Sequence, residues 1–385
     1  MFILKLLFRN AFRHKLRTGL TILGITIAIL AFGLLRTVIT TWYMGVEASS
    51  ANRLWTRNAI SLIFPLPIAY KDKIRQVEGV QFLSHSSWFG GVYQDEKNFF
   101  ANFAVEAASY MDAYSEYYIP PEQRAALLRD RKGAIAGRKL AERFGWKVGD
   151  TIALKGTIYP GNWEFTLRGI YRGTRKDADE TVLFFHWDYL NETLKKAAPA
   201  RADKVGAFIE VIKDANEAAV VAARIDATFK NSLAETLTET EKAFVLGFIS
   251  MSETIITAIQ LVSIVVIVII LAVVGNTMAM TARERIGEHA VLKTLGFGAW
   301  SIAGLIFGES LVITLTGCLV GILLSFPTAK AFGSALEQYF PAFNVTALTI
   351  YLDIAASLIV GLLAAIIPTW RAIKTPIADG LRRIG

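Results

Sequence analysis

Four long runs without a single charged residue set the terms on which this 385-residue chain can fold. Residues 18–35 make a run of 18, 254–282 a run of 29, 310–329 a run of 20 and 354–370 a run of 17. A helix of roughly 17–25 apolar residues crosses a bilayer, because there every backbone N–H and C=O must be bonded within the segment itself. Four membrane-spanning α-helices are therefore expected. The composition agrees, with 53% hydrophobic and 19% charged residues, against about 45–50% and 25% in water-soluble domains. Disorder, collagen-like fibre and a disulfide-stapled scaffold are excluded by the same figures. The single cysteine, Cys318, allows neither an intrachain disulfide nor a four-cysteine zinc site.

The net charge of +8 records topology. Residues 45–250 hold 27 Lys+Arg and 26 Asp+Glu, a net of +1, which leaves +7 for the apolar ends. A nucleic-acid reader would carry a basic stripe on its soluble part; this chain does not, and no nucleic-acid partner is expected. Basic residues gather before the first run (Lys5, Arg9, Arg13, Lys15, Arg17), after the second (Arg283, Arg285, Lys293) and after the fourth (Arg371, Lys374, Arg382, Arg383). The link between runs three and four offers only Lys330. Excess Lys and Arg mark the cytoplasmic side. Both termini are thus expected inside, with residues 45–250 outside.

The reading divides the chain as follows. Residues 1–17 form a cytoplasmic amphipathic helix, with Leu4, Leu7, Ala11 and Phe12 at helical spacing. Residues 18–44 form the first span, read as retained rather than as a cleaved signal peptide, since its run exceeds an h-region of about 7–15 residues. Residues 45–250 form an extracytoplasmic α+β domain in two lobes. Residues 251–282 form the second span, 283–300 a cytoplasmic helix, 301–329 the third span, 330–347 a short outer link, 348–370 the fourth span and 371–385 a tail. In the outer domain, 59–64, 99–106, 151–154, 164–171, 181–185 and 207–212 read as strands. Residues 121–129, 138–144, 187–195 and 215–229 read as helices. The second run outlasts the bilayer at about 1.5 Å per residue, and 233–250 lacks proline. Span two is therefore expected as one helix extended outward as a stalk, with span one continuing likewise to Met44. Arg36, Glu253 and Asp353 are read as snorkelling or mutually paired near the outer boundary.

No catalytic chemistry is legible in the outer domain. It has no His-Glu-x-x-His, no Gly-x-Ser-x-Gly and no P-loop; residues 133–139 (GAIAGRK) read as a strand entering a helix. The four histidines, His14, His85, His186 and His289, are divided between the two sides of the membrane, so no shared metal site is expected. The tyrosines of 110–118 read as core or domain-surface packing rather than a ligand box.

The segment 283–300 (RERIGEHAVLKTLGFGAW) joins spans two and three. Ile286, Ala290, Leu292 or Val291, and Leu295 give an apolar stripe, and Gly296 a helix stop. Such a helix can seat in a partner's groove, its apolar residues as anchors and Arg285, Glu288 and Lys293 as orienting charges. Glu309, the acidic residue well within an apolar stretch, reads either as a contact between this helix and span three or as an interfacial residue paired with Arg283 or Lys293. Cys318 reads as a small packing residue beside Gly317 and Gly321.

At these residues the chain resembles the permease subunits of MacB/FtsX/LolC-type (type VII) ABC transporters. Residues 10–25 (NAFRHKLRTGLTILGI) resemble the family's basic helix entering span one. Residues 276–278 (NTM), 283–288 (RERIGE) and 293–296 (KTLG) resemble its coupling segment. Glu309 with Gly317 and Gly321 resembles the start of its third span. Residues 368–376 (PTWRAIKTP) with Leu381 and Arg382 resemble its C-terminal signature, and 132–149 (KGAIAGRKLAERFGWKVG) a stretch of its outer domain. The chain departs in placing His289-Ala290 where the family continues with Ile-Gly. The resemblance implies a non-catalytic permease of the bacterial inner membrane without a cofactor of its own, ATP and Mg residing on a separate cytoplasmic ABC ATPase. Arg283, Arg285, Ile286, Glu288, Val291, Leu292, Lys293, Leu295 and Gly296 would receive that ATPase. A second permease copy, identical or homologous, would complete the pair. ATP-driven motion would pass through the stalks to the outer domains (mechanotransmission), driving export or extraction of a substrate. Adaptor-linked efflux, with a periplasmic adaptor protein, and lipid or lipoprotein extraction are the two versions. An FtsX-like signalling protein acting on an extracellular cell-wall enzyme is the alternative, and a membrane-anchored binding protein with no ATPase is a third class.

Overall fold

The computed structural model describes residues 2–175, 178–335 and 343–378. Parts of the expected link and tail, with Leu381, Arg382 and Arg383, lie outside the described residues. In chain order the elements are α1 (Phe2–Ala11), α2 (Lys15–Ala48), β1 (Arg53–Asn58), β2 (Leu66–Pro67), α3 (Tyr70–Arg75), β3 (Val80–Trp88), β4 (Gly91–Val92), β5 (Asn102–Val105), α4 (Ala107–Ala113), β6 (Tyr117–Tyr118), α5 (Pro121–Arg129), β7 (Gly133–Gly137), α6 (Arg138–Phe144) and β8 (Thr151–Gly156). They continue as β9 (Gly161–Gly173), β10 (Leu183–His186), α7 (Trp187–Ala197), β11 (Lys204–Val205), β12 (Ala207–Ile212), α8 (Ala218–Thr228), β13 (Thr236–Thr240), α9 (Glu241–Ser250), α10 (Glu253–Glu284), α11 (Ile286–Thr294), α12 (Ala299–Ala335) and α13 (Ala347–Lys374). They form two compact units, one from the terminal segments and one from the segment between α2 and α10.

The outer unit is built on one mixed sheet, ordered β13-β1-β12-β3-β5-β10-β7-β9-β8-β4, with β6 added beside β9. One continuous hydrogen-bonded path thus runs through the domain that the sequence reading divides into two lobes. Its core is double because side chains alternate across a strand. Leu183, Phe185 and Phe208 join a cluster with Phe89, Phe165 and Ile225, while Phe184 and Ile209 join Tyr110, Tyr114 and Tyr171. Tyr110, Tyr114 and the partly buried Tyr117 pack in the core while Tyr118 is exposed, and 133–139 is a strand entering a helix, as the sequence suggested.

Several expected strands shift. Residues 59–64 are a loop with Ile60 81% and Ile63 87% exposed; the strand is β1, just before it, paired with β12 and β13. Its first residue explains the miss. Arg53 is buried, 2.7 Å from Glu116 and 2.8 Å from Glu241, with its guanidinium 3.9 Å from the Tyr114 ring centre. A charge there looks solvent-facing in a one-dimensional pattern. β3 was hidden likewise by buried Ser84, His85, Ser86 and Ser87.

The expected stalk is interrupted. Residues 236–240, read as helix, form β13, where Thr236 and Thr238 donate to the Asp226 carboxylate at 2.8 Å. Thr240 then caps α9 by accepting from the Ala243 N–H, which favours a helix start there. Met251 and Ser252 separate α9 from α10. The first connection is unbroken, since α2 runs 34 residues, about 51 Å at 1.5 Å per residue.

The second unit holds four helices long and apolar enough to cross a membrane: Lys15–Val46, Glu253–Glu284, Ala299–Gly333 and Ala347–Lys374. Lipid tails supply no hydrophobic drive between such helices, so close packing of small residues must hold them. A Cβ on Gly317 would lie 2.7 Å from Ile25, and one on Gly321 2.9 Å from Ile29. The Thr26 hydroxyl donates to the Gly317 carbonyl at 3.2 Å. Across the other seam, Ser310 donates to the Gly361 carbonyl at 2.7 Å and Ser357 to the Thr314 carbonyl at 2.9 Å. Cys318 is buried in this packing. Asp353 is neither snorkelling nor paired: it is fully buried against Gly33, and neither carboxylate oxygen has a hydrogen-bond partner among the described residues.

Two outcomes follow from these contacts. Gly321→Leu should force α2 and α12 apart and lower stability by about 1–3 kcal/mol, read as an earlier thermal midpoint of the full chain in detergent. Glu210, fully buried in β12 with no hydrogen-bond partner for either oxygen among the described residues, has its pKa pushed from 4.5 up to about 8, by burial first and by nearby Asp226. A raised carboxyl favours the fold below the unfolded value and loses that advantage as pH climbs to the folded one. Between pH 4.5 and about 8 the wild-type melting temperature should therefore drop relative to Glu210→Gln, with the gap constant above that window.

Candidate functional site

The ends of α1, α2, α10, α11, α12 and α13 meet at the basic end of the bundle. α11 is the short helix expected between spans two and three. It stops as expected, with Gly296 at φ +91° and the Phe297 N–H donating to the Leu292 carbonyl at 3.0 Å. Glycine takes that left-handed conformation without a Cβ penalty.

The charges expected to face a partner instead tie the helix down. Arg285, 9% exposed, sits at the junction of α10 and α11. Its Nη1 donates to Glu309 at 2.5 Å and its Nε to Glu288 at 2.8 Å. Glu309 is buried in α12, so its partner is Arg285 rather than Arg283 or Lys293. Burial works against ionisation of Glu288, yet hydrogen bonds from Arg285 and Arg13 hold its carboxyl below the usual range. Lys293 also turns inward, donating to the carbonyls of Ala372, Ile373 and Thr375 at 2.7–3.0 Å. Those carbonyls close α13, where a cation also complements the negative helix end. A second tie joins α2 to α10, with Arg17 gripping Glu284 through two bonds of 2.7 and 2.8 Å.

Sequence reasoning missed this second set of partners, although a signal existed. Arg13 and Arg17 are four apart, as are Glu284 and Glu288, so one pair of cations can meet one pair of anions in register. His289, where the family pattern departs, is 4% exposed, and burial first, then the Arg285 charge, push its pKa down to about 4. It is neutral at physiological pH and fills space beside Ala290.

The apolar stripe divides. Ala290 is buried, and Ile286 and Leu292 are half-buried. Val291 (41% exposed), Leu295 (70%), Phe297 (48%) and Trp300 (91%) face outward. Gly296 and Arg283 are exposed as well. Four large apolar side chains within ten residues make a patch of the kind that marks an interaction surface. Among the described residues no group of three or more His, Cys, Asp or Glu could hold a metal ion.

The Arg285–Glu309 pair gives a test. Arg285→Met leaves Glu309 buried and uncompensated, which should cost about 3–5 kcal/mol. Arg285→Met with Glu309→Met removes both charges and should recover most of that loss. Thermal unfolding of both variants in detergent measures the difference.

The sequence matches the FtsX-like permease C-terminal family over residues 261–377 and the MacB-like periplasmic core domain family over 18–228. It is 26% identical over 349 residues to an uncharacterized ABC transporter permease of Methanocaldococcus jannaschii, covering 84% of this chain and 82% of the relative. It is 26% identical over 265 residues to an uncharacterized ABC transporter permease protein of Mycobacterium tuberculosis, covering 65% of this chain but only 29% of that longer protein. Among solved structures, the periplasmic region of MacB from Actinobacillus actinomycetemcomitans aligns with 53% of this chain and 95% of its own, at 10% identity and a TM-score of 0.38. The extracellular domain of the noncanonic ABC-type transporter YknZ from Gram-positive bacteria aligns with 49% of this chain and all of its own, at 11% identity and a TM-score of 0.37. With the core-domain match spanning more than half of its length, this multi-pass membrane protein belongs to the MacB/FtsX-type ABC transporter permeases.

Proposed function

We propose that the chain works by mechanotransmission, relaying the ATP-driven motion of a separate cytoplasmic ABC ATPase to its outer domain, and so drives export or extraction of a substrate at or beyond the inner membrane. The family implies the ATPase. The observation that carries the reading is the division of labour on α11. Its charges are consumed within the bundle, through Arg285 to α12 and Lys293 to α13. The large exposed side chains on it and just after it, Val291, Leu295, Phe297 and Trp300, are apolar. A partner docking there by its own apolar groove would displace α11, and α11 cannot move without dragging α12 and α13. The ATPase-facing set is thus narrower than the sequence suggested: Val291, Leu295 and their neighbours bind, while Arg285, Glu288 and Lys293 transmit. The basic end lies in the cytoplasm by the distribution of Lys and Arg. A second permease copy and a periplasmic adaptor remain part of this proposal. ATP and Mg stay on the ATPase, and the chain itself catalyses nothing.

Co-purification in mild detergent tests it. The wild type should bring down an ABC ATPase, and Val291→Asp with Leu295→Asp should lose it while leaving the permease's melting temperature within about 1 kcal/mol of stability, as exposed substitutions do. An ATPase retained by that variant sinks the docking assignment. Crosslinking from the outer domain then separates export from signalling: an adaptor supports the former, a cell-wall hydrolase the latter.

A further inference from the structure

We propose that the basic end of the bundle carries a binding site for one anionic phospholipid, its headgroup held between the ends of α10 and α13. A cavity of about 530 Å³ opens there. Its walls are of two kinds. Ala279, Ala282 and Pro368, from the membrane-crossing parts of both helices, are apolar and suit the start of an acyl chain; Arg283, Arg371 and Lys374 are cationic.

The charge balance makes this a site rather than a basic surface. No carboxylate of the described residues lines the cavity. The carboxylates described at this end of the bundle are engaged elsewhere: Glu284 with Arg17, Glu288 with Arg285 and Arg13, Glu309 with Arg285. Arg283, Arg371 and Lys374 have no carboxylate partner among the described residues. The helix-end carbonyls of Ala372, Ile373 and Thr375 accept from Lys293, and as neutral groups they leave the three charges uncompensated. Three cations thus converge on one hollow with no protein anion. A phosphate diester is the anion whose own body matches both walls, since glycerol and acyl carbons continue from it. Trp370 adds depth. It is 57% exposed with the Lys374 ammonium 4.2 Å from its ring centre, and tryptophan settles at the headgroup level of bilayers. Basic pockets between spanning helices at this level select anionic headgroups, each nearby cation contributing about fivefold.

Native mass spectrometry of the full chain, released from vesicles holding equal phosphatidylglycerol and phosphatidylcholine, reads the site directly. The wild type should retain one phosphatidylglycerol per chain in clear preference to phosphatidylcholine, a measurement that needs no variant. Arg371→Gln should cut the preference about fivefold, and Arg283→Gln with Arg371→Gln and Lys374→Gln should abolish it. Arg9→Gln with Lys15→Gln, which removes as much charge as two of those substitutions from cations outside the cavity, should leave it unchanged. A wild type without preference overturns the proposal, as does a triple variant that retains it. Loss of the bound lipid to excess inorganic phosphate would assign the site to a soluble anion instead. Loss of preference in the Arg9/Lys15 variant would reduce it to general surface charge.

Discussion

Arg285 occupies a point in the membrane unit where three helices share a charge. Its guanidinium lies at the turn between α10 and α11 and divides its bonds between Glu309 of α12 and Glu288 of α11. Removing such charges from water costs several kcal/mol per ion, and only good geometry with every donor used offsets it. The arrangement therefore has few acceptable alternatives, and that fixes the angle at which α11 leaves α10. The outward aim of Val291 and Leu295 depends on that angle. Lys293, closing α13 from the far end of the same helix, makes the constraint two-point.

The same logic appears in the outer domain, where buried Arg53 links β1 to α9 through Glu241 and to the segment after α4 through Glu116. Both arginines sit where a change of direction must be held: after α2, and after α10. In neither case does net stability have to rise for the pair to matter. A buried ion pair defines one geometry because nearby ones leave a charge unpaired.

The spans were legible because lipid tolerates one solution for a backbone, so length and the absence of charge were enough. α5, α6 and β12 fell where the sequence placed them, each bounded by proline, glycine or a change in periodicity. The failures share a cause. Arg53, His85 and Asp353 are buried polar groups, and a pattern that equates polarity with solvent reads them backwards. The strand at 236–240 was lost because a stretch without proline reads as continuing helix, although its three β-branched threonines favour a strand, which Asp226, ten residues upstream, then anchors. At the candidate site, residue identity was legible and direction was not. Arg285 and Lys293 were found, yet their inward turn depends on Glu309 and on the end of α13, which lie 24 and about 80 residues away.

The seam between Gly317, Gly321 and the first span has a bearing on how the protein is made. Ile25 and Ile29 of α2 find their seats on glycines that leave the ribosome some 291 positions later, the separation of the Thr26–Gly317 bond. At elongation rates of about 5–20 residues per second, that is a wait of roughly 15–60 s. Meanwhile the outer domain must be translocated and begin to fold. Through that interval α2 stands in the bilayer without α12, its depth set by Arg17 on one side and Arg36 on the other. Arg17 thus serves twice, first in holding the depth of a lone α2 and then in tying it to Glu284 of α10.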